Sequence, residues 1–364
     1  MHGDRLACPA ETDVPLISEV LSMSNQLKIF VTASLIAGVA AASLPASVLA
    51  CSRILSNNNG HATIVARTMD LNRPDRARMV VYPRGMDRVS DTGEGKPLQW
   101  TSKYGSVAVT ANLTSTTDGM NERGLVADIL YLGNTSYEPC DERPGLSNLS
   151  WGQYVLDNFS SVAEAVEAMK AVRIVPVAFD GVQWPLHLSI SDADGDSAII
   201  EFVDGKIVIH HGKDYTVMTN EPPLETQLET IRNYKLFGGS KPLPGDIDPA
   251  SRFVRAATYL KTLPPAESVL QALADAQSVA RNVAVPRGAK DTSGSNAEDA
   301  WPTLWFTLAD STHGTYYFHS ATSPSLYWVE LTAIDFAPNS GERGIDAYAL
   351  SLNGDITSKF ARPR

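Results

Sequence analysis

The chain has 364 residues, 43% hydrophobic and 20% charged, an ordinary globular balance with ample material for a large core. The net charge of −11 excludes a non-specific nucleic-acid binder, which needs clustered Lys and Arg, and no basic run is present. Three cysteines, Cys8, Cys51 and Cys140, make neither a disulfide scaffold nor a zinc-like pair.

The first fifty residues read as a segment apart. Lys28 precedes an apolar run from Ile29 to Ala50 that is broken by Pro45 and crowded with small residues at its end. A basic start, an apolar middle and a small-residue exit describe a secretory signal peptide. Val48 and Ala50 occupy the positions that signal peptidase reads, which makes Cys51 the expected first residue of a mature chain with a net charge of −9. Pro45 and the lack of a charged stop after Ala50 count against a transmembrane helix. Residues 1–22 are polar, and a leader starting at Met23 has normal proportions. "VLAC" also fits a lipoprotein box, but Cys51 leads directly into strand-like sequence rather than a polar tether. The expectation is an exported chain, periplasmic or secreted, with residues 51–364 as one domain and no stable membrane association after cleavage.

"CSRIL" and "ATIVARTM" flank "SNNNG", a hairpin signature. "MVVYPRG" and "SVAVTANL" continue the strand pattern, and "DGMNERG" reads as a turn before "LVADILYL". "WGQYVLDNF" has helical apolar spacing, and Ser161 to Glu164 opens "VAEAVEAMKAV" as a capping box. "LHLSISD" and "SAIIEFV" are strands joined by "DADGD"; Gly195 sits at the wrong position for an EF-hand, so a hairpin turn is expected. Asp248 and Pro249 start a helix over "DPASRFVRAATYLKTL", and a second helix covers "PPAESVLQALADAQSVARNV". "TLWFTLAD", "TYYFHS" and "LYWVEL" are aromatic-rich strands. Runs of strands and helices without βαβ alternation argue for an α+β layered domain.

A cysteine at a chain terminus can use its own α-amine, with an ordinary pKa of about 7.7–8.0, as general base for its thiol. His61, His187, His210, His211, His313 and His319 sit in no recognisable cysteine-protease motif.

Cys51 through "ARTMD" resembles the choloylglycine hydrolase/penicillin V acylase family of N-terminal-nucleophile hydrolases. The Cys is followed at the family's spacing by Arg67 and Asp70. "STTDGMNERGL", "WGQYVLDNFSSVAEAV", "VMTNEP" and "DPASRFVR" extend the resemblance in order to about Phe336. It implies a four-layer αββα sandwich, two antiparallel sheets between helical layers, with Cys51 beginning a central strand. It also implies hydrolysis of a linear, non-peptide amide through a Cys51 thioester, with no cofactor and no metal. In the roles it implies, Asp70 orients the α-amine and Arg67 lies near the sulfur and favours thiolate. Asn220 is the side-chain donor of the oxyanion hole, Tyr131 supplies its backbone N–H, and Arg252 is a second active-site arginine. Leu71 and Tyr131 are expected to line the substrate pocket. The aromatic Tyr131 and the short interval before Asp248 resemble the Gram-negative penicillin V acylase subgroup, whose relatives also act on N-acyl homoserine lactones. A homo-oligomer, tetramer or dimer, is implied. Conjugated bile-salt hydrolysis is the alternative reaction, and a non-catalytic ligand-binding lipoprotein the alternative class.

Overall fold

The structure, a computed structural model, describes residues 51–90, 92–112, 115–179, 181–290 and 301–361. The leader and the choice between Met1 and Met23 lie outside the described residues.

Two sheets form the centre. The first has seven strands in the order Val217–Thr219, Ser52–Ser56, Ile64–Asp70, Thr303–Asp310, Thr315–Ser320, Leu326–Glu330 and Gly354–Asp355. The second has eight, in the order Lys206–His211, Ser197–Val203, Leu186–Ser191, Val126–Tyr131, Ser115–Asn121, Ser106–Ala111, Arg78–Tyr82 and Arg343–Asp346. Neighbours run antiparallel except the terminal pair of the first sheet, Leu326–Glu330 with Gly354–Asp355. The strand that follows Cys51 is second in its sheet, one in from the edge rather than central.

Every residue of Ser52–Ser56 and Ile64–Asp70 is buried, so these strands lack the alternation of a half-exposed strand. Both their faces are covered, one by the second sheet and the other by helices. Helices Pro249–Thr262 and Val269–Val283 pack on the first sheet through Phe253, Val254, Ala276 and Ala280. Helices Trp151–Asn158 and Val162–Met169 pack on the second through Trp151, Val155, Leu156 and Val162. The four layers are therefore helix, sheet, sheet, helix. Gly119 sits beneath the Trp151 helix, where an added Cβ would lie 2.8 Å from Leu156 Cδ1 and 2.8 Å from the Val107 carbonyl oxygen. Only glycine lets the layers approach that closely.

The local signals fall where the sequence puts them. Asn59 stitches the first hairpin: its Nδ2 donates to Ser56 O (3.1 Å) and Ala62 O (2.8 Å), and its Oδ1 accepts from the His61 and Ala62 amides. Asp248 Oδ1 accepts from Ser251 N at 2.9 Å, capping the helix that Pro249 begins. Ser161 caps its helix, but Glu164 reaches past it to the Ser160 amide at 2.8 Å, so the box closes one residue early. Asp192 accepts from the amides of Val162, Asp194 and Asp196, which makes "DADGD" a turn tied to the neighbouring helix. "DGMNERG" differs from its reading as a turn: Ser115–Asn121 is a strand, and the reversal occupies Glu122 to Gly124, where Gly124 takes φ +81°. Strands Lys206–His211 and Val217–Thr219 and helix Leu224–Ile231 have no counterpart in the sequence reading.

Candidate active site

The hairpin register places the first chemistry. Ser52 lies opposite Thr68 and Arg53 opposite Arg67, so Cys51 ends level with Met69, between Arg67 and Asp70. Strand alternation then divides the two charged residues between faces. Arg67 points between the sheets, where its Nη2 donates to Ile129 O of the second sheet at 3.1 Å and its Cζ lies 4.6 Å from the Trp305 ring centroid. Asp70 points to the helical side, where it accepts from Thr303 Oγ1 and, at 3.4 Å, from Thr68 Oγ1.

Asn220 arrives by the other edge. Ser52 pairs with Thr219, so the next residue of each chain segment meets across the strand end. The Cys51 N–H donates to Asn220 Oδ1. Asn220 Nδ2 donates to Tyr131 O at 2.6 Å, joining the ends of the two sheets. An amide carries two such hydrogens, so the second remains for a ligand.

Arg252 is the hub. It is fully buried in the first turns of the Asp248-capped helix. Its Nη1 donates to Cys51 O (2.8 Å) and to Ser52 Oγ, its Nη2 to Asn220 Oδ1 (3.3 Å) and its Nε to Ile247 O (2.9 Å). Nη1 also lies 3.7 Å from Asp70 Oδ2. With residues preceding it, the Cys51 peptide nitrogen bonds Asn220, and Asp70 approaches Cys51 through Arg252 and through its own backbone carbonyl, 3.9 Å from Cys51 Sγ.

Burial dominates the electrostatics. It pushes the Cys51 thiol upward, and the opposing pull of Arg67 does not reverse this. The resting sulfur is therefore a thiol, and the thiolate promotion expected of Arg67 is outweighed by desolvation. Burial also raises the Asp70 carboxyl to about 7, against the opposing pulls of Arg252, Thr303 and Arg67.

Cys51, Arg67, Asp70, Leu71 and Tyr131 line one narrow cleft of about 90 Å³. Other wall residues were not anticipated from the sequence, among them Met69, Ile129, Phe179, Trp184, Leu186 and Trp301. Trp184 stands edge-on to Tyr131 with centroids 6.4 Å apart. Two hydroxyls of the wall are occupied by backbone carbonyls: Ser115 Oγ donates to Leu149 O and Thr117 Oγ1 to Val109 O. Leu132 N donates to Pro185 O, so alternation turns the Tyr131 N–H away from that strand. Pairing on the other side covers Val126 to Asp128 and stops short of Tyr131. The Tyr131 N–H and the second Asn220 hydrogen thus have no partner among the described residues, and Tyr131 lines the cleft with Cys51. A larger cavity of about 930 Å³, lined by Leu55, Phe237, Phe253 and Leu260, lies at the other end of the Ser52–Ser56 strand and includes none of these residues.

Comparison with known proteins fits this arrangement. Residues 51–345 match the family model described as linear amide C–N hydrolases, choloylglycine hydrolase family. The chain belongs to that family. It is an amidohydrolase acting on linear amide C–N bonds. It is 40% identical over 319 residues to the penicillin V acylase of Pectobacterium atrosepticum, covering 80% of this chain and 84% of the relative. The bile salt hydrolase/transferase of Bifidobacterium longum subsp. longum is 27% identical over 232 residues, covering 57% and 73%. The penicillin V acylase structure from Agrobacterium tumefaciens superposes with a TM-score of 0.75 at 38% identity, covering 86% of this chain and 98% of that one. A conjugated bile acid hydrolase from Clostridium perfringens, 21% identical with a TM-score of 0.69 over 83% and 98%, shares the fold.

Proposed function

We propose that this amidohydrolase is a penicillin V acylase, exported to the periplasm or beyond and processed so that Cys51 becomes its first residue. The family match begins at Cys51, in keeping with that processing. The observation that carries the substrate reading is the narrow aromatic cleft at the nucleophile, walled by Tyr131, Trp184 and Trp301. A flat ring on a short linker, such as a phenoxyacetyl group, fills such a slot, whereas a fused steroid needs a far broader one. The higher identity to penicillin V acylases supports the same reading. Cys51 leads straight into the buried strand Ser52–Ser56 rather than a polar tether, which supports an enzyme over a lipoprotein. Self-assembly into a homo-oligomer belongs to the same reading by family likeness, and sedimentation velocity measures it.

The chemistry follows from the positions. The Cys51 thiol gives its proton to the freed α-amine as sulfur attacks the amide carbon. The oxyanion forms between Asn220 Nδ2 and the Tyr131 N–H. Collapse expels the amine, which takes the proton back from the α-ammonium and leaves a thioester. Water then gives a proton to the α-amine as it attacks, and the acid departs with the thiol restored. Arg252 holds Cys51 O and Asn220 Oδ1 in place throughout.

Parallel hydrolysis of penicillin V, penicillin G, glycocholate and an N-acyl homoserine lactone series tests the reading. The expected result is the highest kcat/KM on penicillin V, and a preference for glycocholate overturns it. An acyl lactone carries an apolar chain for the same wall but lacks the ring, and it is expected to rank below.

A further inference from the structure

Arg73 lies three residues beyond Asp70 and two beyond Leu71, on the loop that leaves the nucleophile hairpin, and it is exposed. Its Cζ sits 5.0 Å from the ring centroid of Trp184. Trp184 forms part of the cleft wall and meets Tyr131 edge-on. Arg73 is thus a cation at the lip, resting on the aromatic that borders the opening. Among the described residues no carboxylate pairs with it.

Other described charges near the cleft are engaged. Arg67 and Asp70 are buried at the floor. Glu221 accepts from the Gly133 amide, tying the Tyr131 loop to the segment after Asn220. An exposed guanidinium over a ring is only weakly held, so the contact places Arg73 without fixing it. A carboxylate offers it a stronger, charge-assisted bond. In an acidic chain, a cation at the lip that no described carboxylate pairs with is also where an anion is drawn.

The direction of the substrate completes the argument. With the acyl arm in the cleft and the carbonyl at Cys51, the amine half projects outward to the lip. We infer that Arg73 recognises a carboxylate on the amine half of the substrate, so that the enzyme selects amides with anionic leaving amines over neutral ones. The inference rests on the function proposed above, and it names a feature shared by penicillins and acyl amino acids and lacking in acyl lactones.

Penicillin V and its methyl ester share one acyl arm and one scissile bond and differ in that charge. Their KM and kcat are to be measured for the wild-type protein, Arg73→Gln and Arg73→Lys, with equal Tm confirming intact folding. The wild type is expected to show a KM about threefold to tenfold lower for the acid than for the ester. Arg73→Gln is expected to erase the gap by raising KM for the acid alone, with kcat held, and Arg73→Lys to restore part of it. An unchanged acid-to-ester ratio in Arg73→Gln overturns the inference while leaving the acylase reading intact. So does equal weakening of both substrates, which marks Arg73 as a prop for Trp184. A wild-type protein that cleaves neither compound overturns the acylase reading and this inference with it.

Discussion

At the residue scale, the site is built on contacts that offset unfavourable burial. Arg252 and Asp70 are both fully buried, and their 3.7 Å approach together with hydroxyl and carbonyl partners keeps them in the core. The Asp70 carboxyl, raised by burial to about 7, gives this balance a pH dependence. The folded state binds this proton more tightly than the unfolded chain, where the ordinary value is about 3.9. The linked stability is therefore complete at acid pH, below the unfolded value, and is lost as pH rises through about 7. Asp70→Asn keeps a neutral side chain at every pH. Its Tm relative to wild type should climb from about pH 4 to about pH 7 and level off above, and a difference that stays flat in thermal melts contradicts the assignment.

At the element scale, the helix Pro249–Thr262 exists to deliver Arg252, and its start was written in the sequence as Asp248 followed by Pro249. The cap fixes where the first turn begins and so where the guanidinium lands. Asp248→Ala removes the bond to Ser251 N and should cost about 1 kcal/mol in urea unfolding. The same change should lower kcat more than it raises KM, because Arg252 touches the nucleophile residue rather than the acyl cleft. The strand elements were legible through their turns: "SNNNG" encodes its own hydrogen-bonded reversal at Asn59. The short strand Val217–Thr219 escaped notice because three residues carry no periodicity. Its importance comes from pairing with Ser52–Ser56, which brings Asn220 beside Cys51.

At the scale of the whole molecule, the stacking of two sheets brings the site together. Cys51 and Asn220 lie at the end of the first sheet, Tyr131 at the end of the second, and the Asn220–Tyr131 bond joins them. Between the sheets runs a polar seam: Arg53 donates to Tyr215 O, Ser191 and Ser197, and Asp118 accepts from Thr307 and Tyr316. Chain processing acts at the same scale. While residues precede Cys51, its nitrogen is a peptide amide engaged with Asn220, and an amide cannot take the thiol proton. A chain that retains one extra residue before Cys51 should fold and yet lose at least about 10²-fold in kcat, the contribution typical of a general base. Full turnover by material whose mass shows the extra residue excludes the α-amine as base.

Hairpin spacing and the order of strands and helices were enough to bring Cys51, Arg67 and Asp70 together and to give an α+β layered domain. Both depend on short spacings along one hairpin and on signals confined to single elements. Cys51, Arg67 and Asp70 converge because a hairpin register is local. The tertiary structure alone decided the acyl wall and the electrostatic outcome. Trp184, Trp301 and Met69 carry no mark that separates a pocket residue from a core residue, since both are apolar and buried. The state of the thiol likewise depends on how much water the surrounding layers exclude, which spacing does not contain. Proximity to Arg67 alone predicts a thiolate, whereas burial between sheet and helix keeps the proton on sulfur until a base removes it.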